Sequence, residues 1–215
     1  MQKEIDYLKK VDPKLGEVLH GKLEKIVPEL SVYESLLSSI ISQQVSTAAA
    51  SSIKNKFKAV FGDKWPTCEQ LIKAKDVELR EAGLSGQKVK YVKNVALFFN
   101  GENKYGKVLH EHDFDSMSDE EVIDMLTEIV GVGRWTVEMI LIFTLNRADI
   151  FAIKDGGLVS GVMKLYKLGK YHPKSGTEKA MKQKDFEKKI LKITDKWSPY
   201  RSTASRYIWG YKDSK

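Results

Sequence analysis

Two stretches of the chain hold residues whose types and spacing could do chemistry. In LTEIVGVGRWTVEM, Leu126 to Met139, Gly131 and Gly133 flank one valine between two apolar runs of helical spacing. Glycine permits positive φ and lets another backbone come close. The N–H groups of such a turn, and of the first turn of the next helix, have no intrahelical partner and can hold an anion. A DNA phosphate suits that geometry, because it takes several donors and tolerates no side chain in the way. The same residues also fit an ordinary turn between two core helices. Further on, in RADIFAIKDGGLVSG, Asp155 stands directly before another helical run. By composition alone it is a helix N-cap. A third cluster, HEHD at His110 to Asp113, has the residue types of a metal site. Adjacent histidines in a loop are more often solvated, and no metal is expected there.

The elements that must position these residues read almost entirely as helix. SVYESLLSSIISQQ, from Ser31, carries Leu36, Leu37, Ile40 and Ile41 at helical spacing. STAAASSIKNKFKAVFG follows, with Ser46 as N-cap and Gly62 as stop. Capping-box patterns open two more helices, at Thr67 with Gln70 and at Ser118 with Glu121. SGQKVKYVKNVALFFNGE places Val89, Val92 and Val95 on one side. GLVSGVMKLYKLG, KQKDFEKKILKITDKW and YRSTASRYIWGYK supply the last helices. About ten helices with short connections predict an all-α globule. The weakest points fall near Pro28 and Arg147, and no fixed-period repeat or low-complexity linker intervenes.

Composition sets the outer bounds. The chain has 215 residues, one large domain or two small lobes. Its formal net charge of +7 favours an anionic partner, nucleic acid first. Much of that charge is lysine in the last third, from Lys164 to Lys192, where it also serves to solvate helix faces. The single cysteine, Cys68, excludes a disulfide framework and cysteine-held zinc or iron–sulfur centres. The first residues lack an apolar run of signal-peptide type, and the longest such run, Met139 to Leu145, is too short to span a bilayer. The expectation is a soluble monomer working inside the cell with DNA, away from membranes.

The longer pattern sharpens the first stretch. Leu126, Ile129, Gly131-Val132-Gly133 and Thr136, at these intervals, resemble the helix-hairpin-helix DNA-binding motif. That motif followed by Asp155 resembles the HhH-GPD superfamily of DNA glycosylases, and within it the DNA-3-methyladenine glycosylase II group. SIISQQVSTAAASSI, GLSGQKVKYV, GRWTVEMILIFTLNRADIF and KWSPYRSTASRYIW match that group's pattern, so the resemblance runs from about Tyr33 to Trp209. It implies an all-α, two-lobed fold with a cleft between lobes. The hairpin lobe would span about 32–147, and the terminal lobe 1–31 plus 148–215, in one glycosylase unit.

The resemblance also assigns roles. Asp155 becomes the catalytic carboxylate, stabilising an oxocarbenium-like sugar as the base leaves. Gly131, Val132, Gly133, Arg134 and Thr136 of the hairpin, with Gly86 and Lys88 of a second loop, become DNA contacts. Gln44 falls at the wedge position that fills the gap left by the flipped base. Trp135, Met139 and Trp197 would line the base pocket, the aromatic rings attracting a cationic N-alkylated purine. Strand-nicking relatives carry a lysine where this chain has Trp135, so the implied enzyme is monofunctional and leaves an abasic site. No cofactor is implied. A monovalent cation on the Ile129 and Gly131 carbonyls would be structural. The implied substrate is duplex DNA carrying alkylated purines such as 3-methyladenine or 7-methylguanine. Alternatives are a non-catalytic helix-hairpin-helix DNA-binding protein and a glycosylase for deaminated or oxidised bases. One departure stands out: Ala152-Ile153-Lys154 replaces the family's proline and second acid before the aspartate. Lys154 is placed to pair with Asp155 and lower its pKa if the side chains converge.

Overall fold

The computed structural model describes every residue except Lys22, Lys25, Ser214 and Lys215. Among the described residues the chain forms twelve α-helices and no strand. They are α1 (Gln2–Val11), α2 (Pro13–Gly16), α3 (Val32–Ser42), α4 (Thr47–Ala59), α5 (Cys68–Lys73) and α6 (Asp76–Glu81). Then follow α7 (Gly86–Phe99), α8 (Asp119–Leu126), α9 (Arg134–Phe143), α10 (Gly156–Tyr166), α11 (Gln183–Thr194) and α12 (Arg201–Asp213). None of the helices is long and apolar enough to cross a membrane. The helices form two compact units: Pro28–Leu145, and Met1–Val27 with Asn146–Lys215.

In the unit Pro28–Leu145 local chemistry sets where helices begin. Ser31 caps α3, accepting from Glu34 N, while the Glu34 carboxylate accepts from Ser31 N. The same reciprocal pair forms at Thr67 and Gln70 before α5, and at Ser118 and Glu121 before α8. Ser46 and Ser85 cap α4 and α7 through their hydroxyls. The apolar face of α3 then packs on α7 and α9. Leu36, Leu37, Ile40 and Ile41 of α3, Val92 and Val95 of α7, and Val137 and Leu141 of α9 are fully buried. Burying each such side chain contributes roughly 1.5–3 kcal/mol. This core fixes the positions of the α3–α4 turn and the α8–α9 hairpin.

In the other unit, α10 crosses α12 at Gly161. A Cβ there would lie 2.5 Å from Ile208 Cγ2 and 2.9 Å from Ile208 O, so the helices meet backbone to backbone. A buried carboxylate ties the remaining elements together. Asp12 accepts from Leu15 N (3.2 Å), Trp197 Nε1 (2.8 Å) and the Tyr166 hydroxyl, and pairs with Lys196 Nζ (3.0 Å). Burial pushes its pKa up, but the donors from Trp197, Tyr166, Lys196 and Leu15 outweigh it and leave the carboxyl below its ordinary value. A carboxylate depressed in the folded state contributes stability above its unfolded pKa, and that contribution is lost as pH falls through the folded one. Thermal melts of Asp12→Ala should show a loss of about 3 kcal/mol at neutral pH, or roughly 6–12 °C. The gap between wild type and Asp12→Asn should narrow as pH drops below about 4. A gap that widened in acid would contradict this account.

Candidate nucleic-acid interface and catalytic carboxylate

The hairpin is held from below by apolar side chains. Leu126, Ile129 and Val132 are buried, and Val132 N donates to Ile129 O at 2.9 Å, closing a tight turn after α8. Gly131 has φ +104°, in the region that favours glycine. A Cβ on it would lie 2.3 Å from Tyr91 Cγ, so the Tyr91 ring of α7 rests directly on this backbone. Gly133 begins α9 with φ −103° and ψ 164°, and a Cβ on it would meet nothing within 4 Å. Its carbonyl accepts from Thr136 N and Val137 N. Among the described residues the Gly133 and Arg134 N–H groups meet no internal acceptor. The turn thus offers outward backbone donors at a helix N-terminus, where the dipole favours an anion.

The side chains around the turn do not all do what the sequence suggests. Val132 and Thr136 are buried and anchor the hairpin. Arg134 is committed internally: its guanidinium bonds both Glu120 oxygens, at 2.9 and 2.6 Å, and Glu138 at 3.1 Å. Arg134 holds the Glu120 carboxyl below its ordinary pKa. Arg134, expected as a DNA contact, thus also braces the start of α9 to α8. Lys88 is also bonded within the fold. Its ammonium donates to Ile41 O at 2.8 Å, at the C-terminal end of α3, where partial negative charge gathers. Burial lowers its pKa. Gly86 opens α7 behind the Ser85 cap.

Gln44 stands exposed in the α3–α4 turn with φ +56°. Its neighbour Gln43, which the sequence reading passed over, donates Nε2 to Gly131 O at 3.1 Å. The turn carrying Gln44 is thus hydrogen-bonded to the hairpin. That bond also bears on the cation expected at the hairpin: Gly131 O faces the Gln43 amide, and Ile129 O accepts from Val132 N. Each of these oxygens accepts one protein donor and keeps a second lone pair. Trp135 is 45% exposed, and Met139, one turn later on α9, is half-buried. An exposed indole beside a flexible thioether is suited to receive a flat apolar or cationic group.

Asp155 belongs to the other unit. It caps α10, its Oδ1 accepting from Leu158 N at 2.6 Å. The same oxygen accepts from Trp209 Nε1 at 2.8 Å. The segment leading to it is clamped to the start of α12. Asp149 takes Arg201 Nε and Nη2 at 2.7 and 3.1 Å and Ser198 Oγ at 2.7 Å. Burial raises the Asp149 pKa, but Arg201 and Ser198 outweigh it and hold it below its ordinary value. Ser202 accepts from Ile150 N and donates to Arg147 O. Arg201 and Ser202 are thus structural clamps. Lys154 does not converge on Asp155: its ammonium pairs with Glu187 at 2.6 Å. The unusual residue before the aspartate is tethered to α11.

The two tryptophans after Asp155 are placed differently from each other. Trp197, expected at a base pocket, has no exposed surface; it donates to Asp12 and meets Phe151 edge-on at 5.9 Å. It is a packing residue. Trp209, which the sequence reading left unassigned, is half-buried and holds the aspartate. No local spacing links residues 155 and 209, so only the α10–α12 crossing brings them together. The HEHD stretch is occupied with its own fold: Glu111 accepts from Val32 N, Asp113 from Lys107 and His110 N, and the two histidine rings stack at 5.5 Å.

The model of the HhH-GPD superfamily base excision DNA repair proteins matches residues 37–185. The DNA-3-methyladenine glycosylase 1 of Schizosaccharomyces pombe is 34% identical over 179 residues, covering 82% of this chain and 71% of that protein. Among solved structures, the DNA-3-methyladenine glycosidase of Bacillus halodurans superposes with a TM-score of 0.81 at 29% identity, covering 98% of this chain and 89% of that one. The Schizosaccharomyces pombe 3-methyladenine DNA glycosylase in complex with abasic DNA superposes with a TM-score of 0.76 at 28% identity, covering 99% and 100%.

Proposed function

Because the chain belongs to the HhH-GPD superfamily of base excision DNA repair proteins, we propose that it is a monofunctional DNA glycosylase that excises alkylated purines from duplex DNA. The backbone N–H groups at Gly133 and Arg134 grip a phosphate without reading sequence, which suits an enzyme that scans DNA. Gln44 enters the stack as the damaged nucleotide turns out. Trp135 and Met139 receive the base, the indole face attracting its positive charge.

The chemistry centres on Asp155. An N-alkylated purine is already a cation, so the bond from C1′ to its ring nitrogen breaks with both electrons going to the base. The base leaves neutral and needs no general acid. The positive charge passes to the sugar as an oxocarbenium-like species. The Asp155 carboxylate stabilises that charge and accepts a proton as water attacks C1′. An abasic site remains. Trp209 and the α10 N-terminus keep the carboxylate aimed.

The observation carrying this reading is a carboxylate held by two donors on a single oxygen. Incubation with duplexes holding one 3-methyladenine or 7-methylguanine should release free base and leave strands that break only after alkali. Borohydride should trap no protein–DNA adduct, since Trp135 has no amine to form a Schiff base. A trapped adduct would overturn the monofunctional assignment.

A further inference from the structure

Beside the Gln44 turn lies a groove of about 320 Å³ that the hairpin mechanism does not use. Its floor is apolar, with Val45 and the half-buried indole of Trp65. Its wall is one face of α4, where Lys54 and Lys58 stand one helical turn apart, with Ser51 and Asn55 beside them. No carboxylate lines the groove, and α4 carries no acidic residue. Lys58 Nζ sits 5.9 Å from the Trp65 ring centroid. Among the described residues, neither Lys54 nor Lys58 is ion-paired with a carboxylate.

Like charges one turn apart on a helix repel and destabilise it slightly. Here both lysines are half-buried, so water screens them less than on an open face. Burial lowers the Lys54 pKa, and the charge of Lys58 adds to the effect. An anionic occupant would relieve that repulsion. The donors are two ammonium groups, a hydroxyl and an amide over an apolar floor, a set that fits a sugar–phosphate chain. The ammoniums and the small polar groups would meet phosphate oxygens, while the floor would meet sugar carbons. The groove begins at Ser42 and Val45, on either side of Gln44. A strand passing Gln44 would run directly into it.

We infer that this α4 groove is a second DNA contact, seating the backbone of a strand beyond the Gln44 turn through Lys54 and Lys58. The inference rests on the glycosylase reading only in taking DNA as the occupant. It adds affinity and register without touching the reacting sugar.

The test is the salt dependence of binding to an undamaged duplex and to one holding a stable abasic analogue. Each lysine–phosphate contact contributes about 0.9 to the slope of log affinity against log salt. Lys54→Gln with Lys58→Gln should therefore flatten the slope by about 1.8, equivalent to about 60-fold weaker binding at 0.1 M salt relative to 1 M. Both duplexes should be affected alike. Lys3→Gln with Lys10→Gln on α1, a control of equal charge change, should flatten it less. Single-turnover base release at saturating enzyme should stay at the wild-type rate. A slope equal to wild type, or matched by the control, overturns the groove. A fall in the saturated single-turnover rate overturns its restriction to binding. Failure of the wild-type enzyme to release base would instead sink the glycosylase reading, while the slope would still report on the groove. Thermal melts of the glutamine variants establish that they are folded.

Discussion

Asp155→Asn should fold, bind DNA and lose base release by about 100-fold or more. Leu158 N and Trp209 Nε1 both donate to Oδ1, and an asparagine oxygen placed there accepts both. Asparagine is also as good an N-cap as aspartate, so α10 keeps its start. What changes is the negative charge proposed to face the developing sugar cation. Losing one such electrostatic contact in an enclosed site typically costs two to three orders of magnitude in rate. The measurement is single-turnover release of 3-methyladenine, with affinity for an abasic duplex measured alongside. Release at the wild-type rate would remove Asp155 from the chemistry. Loss of the fold together with the rate would make it a capping residue alone. Trp209→Phe, which deletes one donor and keeps the carboxylate, should fall between wild type and Asp155→Asn.

The two hairpin glycines should behave differently although they look alike in sequence. Gly131→Ala sets a Cβ 2.3 Å from Tyr91 Cγ, at a backbone with φ +104°. Overpacking against a ring costs about 1–3 kcal/mol, and left-handed backbone about 1–2 more. Thermal stability should drop by roughly 6–12 °C for a loss near 3 kcal/mol. Gly133→Ala meets nothing within 4 Å and needs no unusual φ. Its melt should shift by no more than the cost of alanine at an N-cap, about 1 kcal/mol. Its DNA affinity should still fall, equally on damaged and undamaged duplex, because the new methyl occupies the approach of the phosphate. Normal affinity for Gly133→Ala would mean that the open side of the turn is not where DNA comes close.

What could be read from the chain and what could not divide along a physical line. Helix starts depend on residues three apart, and the Thr67–Gln70 and Ser118–Glu121 capping boxes form as their sequence predicts. The hairpin is equally local, since its glycines and flanking apolar residues lie within one short stretch. Long side chains were less legible. Arg134 and Lys88 carry the charge a phosphate needs, but their bonds to Glu120 and to the Ile41 carbonyl span 14 and 47 residues and could not be read from local spacing. Lys154 was expected beside Asp155 and is drawn away by Glu187 on α11. Trp197 and Trp209 are chemically equivalent in the sequence, and tertiary packing decides which one touches the aspartate.

The division of the chain also orders events on the ribosome. The unit Pro28–Leu145, with the hairpin and the α4 groove, is one uninterrupted stretch. The unit holding Asp155 is assembled from both sides of it, and its carboxylate is not held until Trp209, near the end of α12, has been made. Chains grow from the N-terminus, and domains tend to fold as they emerge. A nascent chain would thus acquire the parts proposed to hold DNA before the carboxylate proposed to act at the sugar. Aborted synthesis before α12 would leave a chain whose aspartate has no indole to aim it.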